Sequence, residues 1–206
     1  MTVLKKHASL CVTLLKGKRV TLRGLEVEDA AEILRHFNDL EVRRFLATAH
    51  YIAKEEEEQW IRRTWEARSK GESYIFGIEL NEPKRLIGTC GLESVSAIHR
   101  ATELGIAIWN KEYWGKGLGT EALVLLLNYG FNILNLHSVF LTVIEDNARA
   151  QRAYQKVGFQ PAGRHRHAIY QDGTYKDLLL MDILADEYRQ RYPLPSSQTA
   201  RMTALP

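Results

Sequence analysis

One passage limits the possible folds more than any other. The apolar run Thr102–Trp109 leads into Trp114-Gly115-Lys116-Gly117-Leu118-Gly119-Thr120, and a stretch centred on Leu123-Val124-Leu125-Leu126-Leu127 follows directly. The first segment, with Ile106 and Ile108, predicts a strand covered on both faces and central in its sheet. The last predicts a helix from Gly117 to Leu134, apolar nearly all round and therefore buried. The glycines between them supply the backbone freedom for a tight strand-to-helix turn.

Around this passage the apolar periodicity changes type repeatedly, so strands and helices share one core. Val20–Leu25 reads as a strand, and Glu28-Asp29 opens a helix with Ala30, Ile33, Leu34 and Phe37 on one face. A second helix spans about Lys54 to Ser69 and stops at Gly71. Tyr74–Leu80 and Arg85–Val95 read as a hairpin turning at Asn81-Glu82-Pro83. After the long helix come a β-branched strand, Val139–Ile144, and a helix, Asn147–Val157, ended by Gly158. A last hairpin, Phe159–Tyr170 and Thr174–Ile183, turns at Asp172-Gly173, a pair that tolerates positive φ.

With 206 residues, 45% hydrophobic and 26% charged, the chain can build one ordinary core. Its net charge of +3 is too balanced for a surface devoted to polyanions, so nucleic acid is not an expected partner. Cys11 and Cys90 sit in no zinc or redox pattern, and their usage fits a reducing cytoplasm. Met1–Leu15 has Lys5 and Lys6 before a short apolar stretch. Hydroxyl residues interrupt that stretch and no small-residue cleavage site follows it, so residues 1–16 read as a flexible leader and not a secretory signal. Residues 191–206 read as a flexible tail. No stretch is long and apolar enough to span a bilayer, and no membrane partner is expected.

Backbone amides of the glycine loop and the start of a long helix converge on one point, which suits a phosphate group. Lys116 adds positive charge. The spacing matches neither the Gly-x-Gly-x-x-Gly dinucleotide pattern nor the nucleotide loop Gly-x4-Gly-Lys-Ser/Thr, and no Ser/Thr follows a Gly-Lys pair to hold magnesium. Taken alone, the loop is a tight turn or a diphosphate cradle.

Trp114-Gly115-Lys116-Gly117-Leu118-Gly119 resembles the Arg/Gln-x-x-Gly-x-Gly/Ala loop of the GNAT acetyltransferase superfamily, with Trp in place of the usual Arg or Gln. Asn147-Ala-Arg-Ala-Gln-Arg-Ala-Tyr154-Gln-Lys-Val-Gly158-Phe159 is similar to the family's Asn-x-x-Ala-x-x-x-Tyr-x-Lys-x-Gly-Phe, in register throughout. The Tyr-Trp-Gly-Lys-Gly wording resembles the branch that includes the ribosomal-protein N-terminal acetyltransferases. The likeness covers about Gly17 to Tyr188. It implies an α+β fold over 17–190, with a central, twisted, mostly antiparallel sheet of about seven strands flanked by helices. It also implies acetyl-CoA as co-substrate, an N-acetyltransferase activity without a metal, and a primary-amine acceptor, either a protein N-terminus or a small molecule. A non-catalytic acyl-CoA-binding module on the same fold is the alternative, and pairing into a homodimer is common among relatives.

The resemblance also assigns residues. The backbone of Ile106, Ala107 and Ile108 is expected to pair with the pantetheine arm, and the amides of Trp114, Gly115, Lys116, Gly117, Leu118, Gly119 and Thr120 to hold the diphosphate. Asn147 is a cofactor contact or a plain helix cap, or both. Tyr154 is expected to protonate the departing sulfur, against the alternative of a core tyrosine. Glu103 is a candidate general base, against the alternative of a solvent-facing strand-end glutamate with water taking the proton. The strand before Asn147 offers Thr142, which cannot serve. Glu55-Glu56-Glu57-Glu58 reads as a solvated helix face with Glu58 pairing Arg62. His165 and His167 share a strand face but lack a third ligand. Trp60 and Trp65 divide between acceptor wall and core packing.

Overall fold

The computed structural model describes residues 15–46 and 51–193. Its elements run β1 (Val20–Arg23), α1 (Ala30–Phe37), α2 (Leu40–Arg43), α3 (Lys54–Ser69), β2 (Tyr74–Leu80), β3 (Arg85–Ser96), β4 (Ala101–Ile108), α4 (Leu118–Asn132), β5 (Ser138–Ile144), α5 (Ala148–Val157), β6 (Gln160–Gln171), β7 (Thr174–Leu184) and α6 (Ala185–Arg191). Most of the expected leader and tail, residues 1–14 and 194–206, lies outside the described residues. Leu15 accepts from the Leu22 N–H at 2.8 Å, and Lys16 bridges to Thr21.

The strands form one seven-stranded sheet in the order β1-β2-β3-β4-β5-β7-β6. Every neighbouring pair is antiparallel except β4 and β5, in keeping with the mostly antiparallel sheet that the family resemblance implies. The parallel pair follows from the chain path, because α4 carries the chain from the end of β4 back to the start of β5. The final hairpin turns at Asp172 and Gly173, both at positive φ (52° and 77°), the geometry a two-residue turn needs.

Two apolar layers cover the sheet. On one face Leu123, Leu126, Leu127 and Phe131 of α4 are almost wholly buried with Leu92, Leu104 and Tyr188. Each such leucine contributes roughly 1.5–3 kcal/mol by leaving water. On the other face a smaller cluster joins Ile33 of α1 and Ile61 of α3 to Ile75, Leu86 and Trp109. Residues alternate between these faces along β4: Leu104 and Ile108 pack toward α4, and Ala107 toward α1 and α3.

Strand β4 departs from expectation in one respect. It is central, but it is not covered on both faces throughout. Its ladder with β5 holds only from Ala101↔Ser138 to Glu103↔Phe140, whereas the ladder with β3 continues to Gly88↔Ile108. Beyond Glu103 the two parallel strands part, and Gly105, Ile106, Ala107 and Ile108 are only half-buried. The apolar character that suggested a fully buried strand therefore lines a cleft.

Candidate active site

The cleft ends at the glycine loop. A single 3-10 turn, Lys111–Tyr113, leads into it, capped by the Asn110 side chain, which accepts from the Glu112 N–H at 3.1 Å. Gly117 takes φ 75°, serves as N-cap of α4 and has no side chain to cap the first amides of that helix. A Cβ built on Gly115 meets no atom within 4 Å, so that side of the loop is open to a ligand. From beneath, Arg19 braces the loop: its Nη1 donates to the Lys116 carbonyl at 2.8 Å, and its Nε pairs with Glu121 at 2.9 Å.

Trp114 has a visible reason to replace a charged donor. Its indole N–H donates to the Ile108 carbonyl, tying the loop to the end of β4. The half-buried β4 edge, the free amides at the start of α4 and the open glycine side together fit a long, flexible molecule with a phosphate-rich end, as acetyl-CoA is.

Across the cleft, Asn147 caps α5: its side-chain oxygen accepts from the Ala150 N–H at 3.1 Å. That use leaves its amide NH2 as a donor. Tyr154 lies about two turns further along α5, only 7% exposed and edge-on to Phe159. Burial pushes its hydroxyl up to about 12, so the proton stays on the oxygen at neutral pH and is there to be donated.

A second opening lies on the α1/α3 side. A pocket of about 540 Å³ is walled by Ile33, Phe37, Glu57 and Trp60 and floored by Glu93 and Ala107, among others. The floor belongs to the strand pair that lines the cleft, so pocket and cleft share β4. Glu93 lies directly opposite Glu103 in the β3–β4 ladder. Its carboxylate folds across the next pair, where Oε1 would stand 3.1 Å from a Cβ on Gly105, a position that glycine leaves open. Glu93 keeps an exposed surface, and partial desolvation together with the neighbouring Glu103 charge raises its proton affinity.

The acidic run of α3 is a solvated face at Glu55 and Glu56, which are exposed, but not at Glu57. Glu58 pairs with Lys54 at 3.5 Å, not with Arg62, and Glu56 accepts from the Ala53 N–H at 2.7 Å at the helix start. Glu57 is 6% exposed, shares its helix face with buried Ile61 and Thr64, and has no salt-bridge partner among the described residues. Burial pushes its carboxyl up to about 7. Four consecutive glutamates circle a helix, so one had to meet the buried side. The 57-61-64 spacing was the signal, and it goes unread when the run is treated as a single face. Glu93 gave no local signal, because its partner is set by strand register.

Of the two tryptophans on α3, Trp60 lines the pocket and packs on the core, while the Trp65 indole N–H donates to the Leu25 carbonyl at 2.9 Å. His165 pairs with Leu178 on β7, and His167 lies within the register shift that follows it. His167 stacks on Tyr175 and donates its backbone N–H to Asp177 at 2.8 Å. Thr142 is exposed on β5. Among the described residues no helix is long and apolar enough to cross a membrane.

Comparison with known proteins agrees with this geometry. The acetyltransferase (GNAT) domain family matches residues 19–160, more than half of the chain. The spermidine N(1)-acetyltransferase of Escherichia coli (strain K12) is 31% identical over 185 residues, 90% of this chain and 96% of that protein. The crystal structure of spermidine N-acetyltransferase from Vibrio cholerae in complex with CoA and spermine superposes with a TM-score of 0.76 at 30% identity, covering 84% of this chain and 99% of that one. YdaF of Bacillus subtilis, whose name places it provisionally among ribosomal N-acetyltransferases, is 30% identical over 103 residues, 50% of this chain and 56% of its own length. The chain belongs to the GNAT acetyltransferase family and is an acetyl-CoA-dependent N-acetyltransferase.

Proposed function

We propose that the protein acetylates a small primary amine carrying at least one further positive charge, an acceptor of the polyamine type, and that residues 17–190 act as one catalytic unit. The observation that carries this reading is Glu57, a carboxyl buried in the pocket wall with no salt-bridge partner among the described residues. An unpaired buried carboxylate is costly, and a cationic ligand offsets that cost. Glu93 on the pocket floor gives a second anionic point. The likeness to proteins named as spermidine acetyltransferases supports the same acceptor class.

The chemistry divides among the chain's own residues. The backbone of Ile106, Ala107 and Ile108 lines the pantetheine arm, and the amides from Trp114 to Thr120 surround the diphosphate. The co-substrate supplies an acetyl thioester, an acyl donor that needs no metal to react with an amine. An amine attacks only when neutral, so a base must first take the ammonium proton. The Glu93/Glu103 pair suits that step. Partial desolvation and the facing Glu103 charge raise the proton affinity of Glu93, which fits it to take that proton. A backbone N–H of β4 facing the thioester oxygen stabilises the charge that gathers there. Tyr154, kept protonated by burial, gives its proton to the departing sulfur.

A protein N-terminus is the second acceptor reading, favoured by the partial likeness to YdaF. A thiol-release assay with acetyl-CoA separates the two. Turnover with di- and polyamines well above that with N-terminal peptides supports the proposal, and the reverse order rejects it.

A further inference from the structure

Arg149, two residues after the α5 cap, places its guanidinium 3.6 Å from the Trp114 ring centroid and 5.5 Å from that of Phe45. The two rings meet edge-on, 6.4 Å apart at 74°. Trp114 follows the C-terminal end of β4, and Arg149 follows the C-terminal end of β5. These are the two parallel strands that have parted, so the stacked pair spans the mouth of the cleft at its glycine-loop end.

Arg149 is half-buried and has no carboxylate at salt-bridge distance among the described residues. The stretches outside that range contain no Asp or Glu at all. Glu41, whose charge reaches Arg149, is itself bound to Lys111 at 2.8 Å. Burial lowers the proton affinity of Arg149, the direction expected of a cation that lacks a counter-ion. Lys116 is no substitute, because it is exposed and its ammonium lies over Tyr113.

We infer that Arg149 is a ligand of the co-substrate's diphosphate, supplying the side-chain donor that Trp114, at the loop's first position, does not. Trp114 then has two tasks, fixing the strand end through its indole N–H and presenting the guanidinium plane by cation–π contact. This rests on the acetyl-CoA reading of the cleft and is independent of the acceptor.

The test is calorimetric binding of CoA and of pantetheine, which has the arm but no diphosphate, to the full chain and to Arg149→Ala and Arg149→Gln. Hydrogen bonds to a charged group are strong enough that CoA should bind about ten- to a hundredfold more weakly to both variants. Pantetheine binding and the unliganded melting temperature of Arg149→Gln should hold, and Arg149→Lys should recover only part of the loss. Unchanged CoA affinity in Arg149→Gln overturns the inference while leaving the cofactor cleft intact. An equal loss for CoA and pantetheine also overturns it, by showing that Arg149 supports the cleft and not the diphosphate.

Discussion

Glu93 and Glu103 stand directly opposite each other on β3 and β4, where the strand pair passes from the sheet interior into the wall of the cleft. Like charges opposed on neighbouring strands repel, and Glu93 of this pair is the proposed acceptor of the ammonium proton. Glu103→Gln removes the charge that helps to raise Glu93. The acidic limb of the pH profile of kcat/KM should therefore move to lower pH. An unchanged profile would remove the pair as the base.

Glu57→Gln should raise KM for a cationic acceptor about tenfold or more, as loss of a charged partner does, and leave KM for acetyl-CoA unchanged. It also has a stability signature. The folded-state pKa of about 7 lies above the ordinary glutamate value, so between about pH 4.5 and pH 7 the folded state binds more protons than the unfolded one. Stability therefore falls as pH rises through that window, and the full cost is present above it. The acceptor-free variant should gain on the order of 1–2 kcal/mol over the parent at pH 8 and nothing at pH 4, the pocket's open side screening part of the shift. Melting curves at the two pH values measure this.

Tyr154→Phe removes the hydroxyl proposed to protonate the sulfur and little packing, since the ring still meets Phe159. Turnover should drop by about 10²–10⁴-fold with CoA affinity retained. Full activity in this variant would exclude Tyr154 as the acid.

Asn147 serves α5 through its oxygen, and its amide NH2 is the proposed cofactor contact. Asn147→Asp keeps the cap and loses the donor, whereas Asn147→Ala loses both. The Asp variant should match the parent in melting temperature and bind CoA more weakly. The Ala variant should also lose about 1 kcal/mol of stability. If the Asp variant binds CoA as the parent does, Asn147 is a cap alone.

The cofactor side was legible in the sequence because its demands are local. Gly117 must adopt positive φ, Asn147 must cap the helix that follows it, and α4 must be apolar to lie on the sheet. The acceptor side was not, because its residues acquire meaning only from distant neighbours. Glu57 looks like its three companions until Ile61 and Thr64 fix which side of α3 is buried. Glu93 is an ordinary strand residue until register sets it against Glu103. The parting of β4 from β5 is equally invisible, since the half-open Ile106–Ile108 stretch has the composition of a buried strand. The short helices α2 and α6 also went unread, lacking the length for a clear apolar period.

A second positive charge on the acceptor, met by Glu57, is proposed to select the substrate. This selection is tested most directly by comparing kcat/KM for spermidine with that for butylamine, a primary amine without the further charge, under saturating acetyl-CoA with thiol release as the readout. Spermidine should be preferred by about a hundredfold or more, and Glu57→Gln should remove most of the preference. Equal values for the two amines, or a preference that survives Glu57→Gln undiminished, would contradict it.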